Sequence, residues 1–398
     1  MSLESYLDYH QRELKDHQKL LINNVRALME KYGEKYWLDV DAYERFPEEF
    51  VREYLELGYA GLMIPEEYGG AGYGLQEVTL VIEEISAMGG TAYHVRAVYY
   101  PMNILVRYAS KNIKEKYLPR IARGELRFLA FAVTEPEAGS DTARISTFAR
   151  REGDKYIING HKIFISRFKE SDLMFLVART RPYNPERRYD GISLFLVDLR
   201  ESTGIEAKKI KVMALGPVYE LYIRDLEVPA ENLIGEEGKG FRYLLGALNS
   251  ERVVISADLV GSTRYLIKRS VEYASKRIVF GKPIGSYQGV QFPIASTYIE
   301  LLAADEITHK AARLIDEGAE DKSIGLYSNA AKYISTEVAW KAANVAMDTF
   351  GGYGYAWETG IERKLREIRL YKVAPVNQNL VLAYVGHNIL GLPRSYEP

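Results

Sequence analysis

Between residues 128 and 233 the chain carries no helical periodicity, and this interruption constrains the fold more than any other feature. Short β-rich runs at 128–133, 156–158, 162–166, 173–178, 192–197 and 220–223 are separated by turn clusters. Regular short strands with no intervening helices argue for an antiparallel barrel or sandwich. On both sides the texture is helical. Residues 75–88 place Leu75, Val78, Val81, Ile82 and Ile85 on one side of a helix. After Gly238 a longer stripe runs through Phe241, Leu244, Leu245, Leu248, Ile255, Leu259 and Leu266. Further helical stretches cover 287–316, 323–350, 358–373 and 376–389. The chain thus reads as an α+β multidomain protein: an α-helical N-terminal domain over 1–127, a central antiparallel β-barrel over 128–233 and a C-terminal helical bundle over 234–398. Its 398 residues suffice for two or three domains and a sizeable core.

Composition removes several chemistries. There is no cysteine, which excludes disulfides, zinc–thiolate sites, iron–sulfur clusters and thiol catalysis. His10, His17, His94, His161, His309 and His387 show no metal-ligand spacing, so no metal is expected. No GxSxG elbow is present. A net charge of −2 implies no nucleic-acid partner. The N-terminal segment is polar and charged, and no stretch reaches the ~18 apolar residues of a membrane span. A cytoplasmic protein is the simplest expectation.

Residues 132–166 carry the most chemical information. A Gly/Ser/Thr-rich turn here joins a run of strands, and glycine lets backbone approach a ligand closely. Thr134, Ser140 and the amides beside Gly139 offer donors suited to a planar heterocycle or a pyrophosphate, with a plain polar hairpin connection as the alternative. The glycine-rich loop over 68–74 lacks both GxGxxG spacing and a preceding strand, which excludes a Rossmann reading. Residues 235–240 resemble a phosphate loop only superficially, because Gly-Lys is not followed by Ser or Thr, and a turn before a helix is the expected role.

Six segments occur in one order: GLMIPEEYGG at 61–70, VTEPEAGSD at 133–141, NGHK at 159–162, VPAEN with GEEGKGF at 228–241, RIVFGKP at 277–283 and FGGYG at 350–354. On these the chain, from about residue 50 to 392, resembles the acyl-CoA dehydrogenases, which use FAD to oxidise acyl thioesters. The resemblance implies the architecture read above, with a four-helix C-terminal bundle. It also implies that Val133 and Thr134 meet the flavin's polar edge, that Ser140 meets cofactor or thioester phosphates, and that Ser166 places a hydroxyl near flavin N5. Arg277, Phe280 and Gln288 are implied to reach the ADP half of FAD bound to a neighbouring subunit, with Gly352 and Asn377 in the same cofactor set. A shared site implies an oligomer, usually a homotetramer. The chain departs from the family pattern in three places. Phe164-Ile165-Ser166-Arg167 replaces Trp-Ile-Thr-Asn, so Phe164 packs on the isoalloxazine without an indole N–H. Asp348 stands where Gln is common, and Arg144 replaces a small residue.

The reaction needs a carboxylate base, desolvated enough to be basic. Most relatives carry it in a Tyr-Glu-Gly-Thr segment, whose equivalent here is Ala374-Pro375-Val376-Asn377. Proline takes no proton. Isovaleryl- and long-chain-type relatives carry the base in Leu-x-x-Glu-Arg on the first bundle helix, and this chain has Leu248-Asn-Ser-Glu251-Arg252. Glu251 falls on the apolar stripe, where burial would raise its pKa; the competing reading is a structural ion pair. Arg252 would orient substrate or base. Ala374 and Pro375 replace bulkier residues and would open space for a short, branched or cyclic acyl group. Tyr99 and Tyr100 would shorten the pocket, or serve as core aromatics. Arg96, beside His94, is expected at the surface, the other reading being a grip on a polar acyl tail.

The resemblance therefore implies α,β-dehydrogenation of an acyl-CoA, with electrons leaving to an electron-transfer flavoprotein or similar acceptor. Two alternatives share the scaffold: a flavin-dependent oxidase or monooxygenase, and a non-catalytic flavin-binding assembly protein.

Overall fold

A computed structural model describes residues 13–394; the readings of His10 and of the first residues of the polar N-terminal segment lie outside that range. Helices α1 (Asp16–Lys31), α2 (Glu34–Ala42), α3 (Glu48–Glu56), α4 (Leu75–Ala87), α5 (Tyr99–Tyr108) and α6 (Lys111–Ala122) come first. Strands β1 (Phe128–Ala132), β2 (Phe148–Glu152), β3 (Lys155–Ser166), β4 (Leu173–Arg179), β5 (Ile192–Asp198), β6 (Ile205–Ile210) and β7 (Val218–Pro229) follow. Helix α7 (Gly240–Lys276), a two-residue-strand hairpin of β8 (Ile278–Val279) and β9 (Lys282–Pro283), then α8 (Gln288–Asp316), α9 (Asp321–Phe350), α10 (Ile361–Arg369) and α11 (Gln378–Tyr384) complete the chain. No described helix is long and apolar enough to cross a membrane.

The chain folds into two compact units, each discontinuous in sequence. One comprises residues 44–73 and 93–251, and the other residues up to 43, 74–92 and 252 onward.

The first unit is built on a seven-stranded sheet. Strands β4 and β5 are buried at every position, so they read as largely apolar runs (LMFLVAR and ISLFLVD) and lie in the core. Met174, Leu176, Phe195, Tyr156, Ile158, Ile165, Leu221 and Leu226 are among the side chains that close it. The β2–β3, β3–β7, β4–β5 and β6–β7 pairings are antiparallel, as anticipated. Within this mainly antiparallel sheet, β1 runs parallel to β4 and β2 touches β4 in parallel at Phe148 and Arg179. Two anticipated runs, 156–158 and 162–166, are one continuous strand β3 whose register slips against β7 between Ile158 and Gly160 and again between Lys162 and Ile165. Gly160 is required at the first slip, since a Cβ there would collide with Thr147.

The second unit is helical. Helix α9 packs on both α8 and α10, and α4 packs on α1 and α8. The close approach of α9 rests on small buried residues: Ala331, Ala339, Ala342, Ala343 and Ala346. Charged groups buried among the helices are paired. Arg363 donates to Glu367 at 2.6 Å and to the Gly89 carbonyl at 2.8 Å, while Lys364 lies 3.0 Å from Glu367. Burial acts to raise the Glu367 pKa, but the two cations outweigh it and hold the carboxyl at about 2.

Candidate active site

The turn after β1 is fixed by a buried ion pair. Glu135 accepts the backbone N–H groups of Ser146 (2.6 Å) and Thr147 (3.0 Å), the Ser146 hydroxyl (2.8 Å) and the Lys162 ammonium (2.9 Å). Lys162, fully buried, also donates to the Val133 carbonyl at 2.8 Å. The Ile163 N–H donates to the Thr134 carbonyl at 2.9 Å. Burial alone would raise the Glu135 pKa; the Lys162 charge and the converging N–H groups reverse that and hold it down at about 2. Burial pushes Lys162 down to about 8, with Glu135 opposing. The backbone at 133–134 is thereby stapled to β3, with Val133 and Thr134 half-buried and Ser140 exposed beyond them.

The second slip in the β3 register re-aims the next side chains, as bulges do. Phe164 adopts a left-handed backbone, with φ of 60°, and presents its ring 59% exposed. A flat apolar face next to a hydroxyl fits an isoalloxazine, so the residues present suit a flavin. Two positions on, half-buried Ser166 accepts a hydrogen bond from the Tyr93 hydroxyl at 2.6 Å. Buried Arg167 donates to the Tyr93 carbonyl at 2.8 Å and lies 4.2 Å from the Tyr93 ring centroid. Sequence reasoning missed Tyr93, and it noted Arg167 only as a departure.

Glu251 is half-buried on α7, within the β-rich unit. The residue before it, Ser250, is fully buried and accepts a hydrogen bond from Asn103 of α5 at 2.8 Å, which fixes this turn of helix. The geometry corrects two expectations in the same unit. Tyr99 is wholly buried, its hydroxyl donates to the Tyr59 carbonyl at 2.9 Å and pairs with Tyr54, so it is a core aromatic and not a substrate contact. Arg96 is not at the surface: it and His94 are buried, with Arg96 lying 5.6 Å from the Tyr93 ring. The aromatic face of Tyr93 makes room there for a guanidinium.

The remaining anticipated residues belong to the helical unit. Arg277 and Gly352 line a cavity of about 490 Å³ together with Asp348, Thr349 and the stacked pair Tyr273–Phe350. Arg277 and Asp348 thus share one cavity wall, a cation and an anion within reach of the same ligand. Phe280 lies at the tip of the β8–β9 hairpin with φ of 50°, 92% exposed. Gln288 begins α8 and is exposed. Arg252 and Ala374 are half-buried and Pro375 is exposed. Asn377 caps α11, its Oδ1 accepting from the Leu380 N–H at 3.0 Å. Glu83, Asp305 and His309 bring ligand-type atoms within 4.8 Å of one another. Arg264 donates to Glu83 at 2.9 Å there, so the group is an ion-pair cluster that already holds its own cation.

The family models for the acyl-CoA dehydrogenase N-terminal, middle and C-terminal domains match residues 15–125, 130–226 and 238–375. Acyl-CoA dehydrogenase FadE12 of Mycobacterium tuberculosis is 35% identical over 94% of this chain and 95% of its own. Cyclohex-1-ene-1-carbonyl-CoA dehydrogenase of Syntrophus aciditrophicus is 36% identical over 95% of this chain and 91% of its own. Among solved structures, a glutaryl-coenzyme A dehydrogenase in complex with glutaryl-CoA superposes with a TM-score of 0.88 at 30% identity, covering 97% of this chain and 98% of the other. With its three family segments in order and a flavin-compatible ring and hydroxyl at the bulge of β3, the chain belongs to the acyl-CoA dehydrogenase family, FAD-dependent oxidoreductases that act on acyl-CoA.

Proposed function

We propose that the chain dehydrogenates a short, branched or cyclic acyl-CoA between Cα and Cβ, with Glu251 as the base that removes the α-proton. Bound FAD supplies the hydride acceptor for the β-hydrogen at N5. The observation that carries this reading is the pairing of a half-buried Glu251, on a helix turn anchored through Ser250 and Asn103, with a proline at the position where most relatives keep their base. A carboxylate partly withdrawn from water retains its basicity toward a weak carbon acid. Arg252 follows it directly on α7 and would orient base or thioester. Ala374 and Pro375 are smaller than the Tyr and Glu that most relatives carry at those positions, which favours a bulky acyl group. That a relative acts on a cyclohexene carbonyl thioester agrees with a cyclic acyl group.

Val133 and Thr134 would hold the flavin's polar edge, Phe164 its face and Ser166 its N5 side. The ADP half would meet Arg277, Phe280, Gln288 and Gly352 of a second copy, with Asn377 nearby, in a homotetramer. Support for a second copy comes from α8, where Phe292, Ile299 and Leu302 form an exposed apolar stripe and Gln288 sits one turn before it. The electrons would leave to an electron-transfer flavoprotein or similar acceptor. The three-domain division at residues 127 and 233 belongs to the same reading.

The test is anaerobic bleaching of the FAD-loaded protein by a panel of straight, branched, cyclic and dicarboxylic acyl-CoAs. Rapid bleaching by branched or cyclic members supports the substrate class; bleaching only by long straight chains refutes it. Glu251→Gln is expected to slow bleaching by ~10²-fold or more while acyl-CoA binding, read by the flavin difference spectrum, stays near parental. A variant that bleaches at the parental rate removes Glu251 from the mechanism.

A further inference from the structure

We infer that Tyr93 is a positioning residue that fixes the Ser166 hydroxyl as a hydrogen-bond donor toward the flavin. This rests on the reading of Ser166 as the flavin-facing hydroxyl. A serine hydroxyl has one proton and two lone pairs and rotates to suit its neighbours. Left alone at a half-buried position, it would donate in some rotamers and accept in others. The Tyr93 phenol removes that freedom on one side: its O–H donates to Ser166 Oγ at 2.6 Å. One lone pair of Ser166 is then occupied, and its own proton is directed away from Tyr93.

The phenol is itself held in place. Tyr93 lies in the short turn Ala92–His94 and is buried. Arg167 donates to its carbonyl at 2.8 Å and faces its ring at 4.2 Å. Arg96 lies 5.6 Å from the same ring, and His94 packs edge-on at 5.4 Å. Arg167 is fixed in turn, its N–H donating to the Pro217 carbonyl at 3.1 Å. It adopts φ of 56°, a left-handed conformation uncommon for a long side chain, which folds its guanidinium back toward Tyr93. A stacked cation of this kind requires a side chain longer than the Asn of the family segment. The arrangement therefore couples this chain's departure at 167 to the orientation of the hydroxyl at 166.

The competing role for Tyr93 is a plain anchor that ties the 92–94 turn to β3. The experiment compares FAD-loaded parent, Tyr93→Phe, Ser166→Ala and the double variant. Readouts are the flavin midpoint potential, the visible spectrum and the rate of bleaching by the best acyl-CoA. Tyr93→Phe keeps the ring and its packing. Because flavin N5 accepts a hydrogen bond only when oxidised and bears its own N–H when reduced, loosening the fixed donor is expected to shift the two-electron equilibrium about tenfold toward reduced flavin, about 30 mV positive. Bleaching should slow about tenfold, less than the roughly 10²–10³ of deleting a direct donor. Ser166→Ala should shift both at least as far, and the double variant no further than Ser166→Ala alone. Arg167→Gln, which keeps the phenol but removes the stacked cation, should move the potential in the same direction by less. If Ser166→Ala moves the potential and Tyr93→Phe does not, or if the two effects add, Tyr93 is only an anchor. If Ser166→Ala leaves spectrum and potential unchanged, the flavin-facing reading of Ser166 fails first, and this inference with it.

Discussion

The turn at 133–141 and the hairpin at 277–283, both of which we propose to serve the cofactor, are built in opposite ways. The turn is stapled from within by Glu135 and Lys162, each buried and each making several hydrogen bonds. The hairpin has two-residue strands and a tip residue, Phe280, that is 92% exposed at a left-handed φ. One region holds its shape with its own side chains. The other presents an apolar ring and a cation to whatever covers them, consistent with our proposal that a second copy supplies the cover. Under our proposal the reacting ring meets preorganised backbone held by a buried charge pair. Under the same proposal the ADP half is gripped by contacts completed on assembly.

The largest expected effect breaks the first region. Lys162→Met removes the cation and leaves Glu135 buried without its countercharge, and breaking one side of a buried pair costs about 3–5 kcal/mol. A urea titration of the FAD-free protein should show that loss, with faster FAD release from the loaded form. Acid should sharpen the same contrast. Glu135 is held at about 2, below its ordinary 4.5, so its stabilisation is fully present above about pH 4.5 and is lost as pH falls toward 2. Without Lys162 the buried Glu135 takes up its proton at a higher pH than in the parent, so the urea-midpoint gap between parent and Lys162→Met should narrow as pH falls toward 2. Glu367 titrates in the same low window within the other unit, but it is common to both proteins and cancels in the difference. A gap that persists unchanged at pH 3 would mean that packing, not charge, holds the turn.

Much of this was legible in the sequence, and the failures have physical causes. Long helices with apolar stripes were placed to within a few residues: 75–88 against Leu75–Ala87, 287–316 against Gln288–Asp316 and 323–350 against Asp321–Phe350. Strands buried on both faces, β4 and β5, were equally plain. Strands β2 (FARRE) and β6 (IEAKKI) went unseen because they are short, largely exposed and carry charges where a core strand has apolar residues. At the site, Phe164 and Ser166 could be named from the motif, but Tyr93 could not. Its partner lies 73 residues away in sequence, and a tyrosine in an apolar segment carries no spacing signal. The two readings of Tyr99 could not be told apart for the same reason: two tyrosines in tandem look alike, and only the fold shows that one of them is consumed by Tyr54 and Tyr59.

The smaller effects test the second region. Arg277→Ala removes a cation from the wall of the cavity that also holds Asp348. If that wall grips the ADP half, FAD affinity should fall about tenfold, the scale of one charge-assisted contact at roughly 1.5 kcal/mol. Restoring Gln by Asp348→Gln should raise affinity, since a carboxylate near pyrophosphate opposes binding. Phe280→Ala should do least to the subunit itself. A ring so exposed buries almost nothing, so the urea midpoint of the FAD-free protein at low concentration should move by no more than about 0.5 kcal/mol. Its effect should appear only where a second copy is needed, as weaker self-association in sedimentation and weaker FAD retention at dilution. Should Phe280→Ala lower the subunit's own stability while leaving association intact, the hairpin belongs with the stapled turn after all, and the contrast between the two regions dissolves.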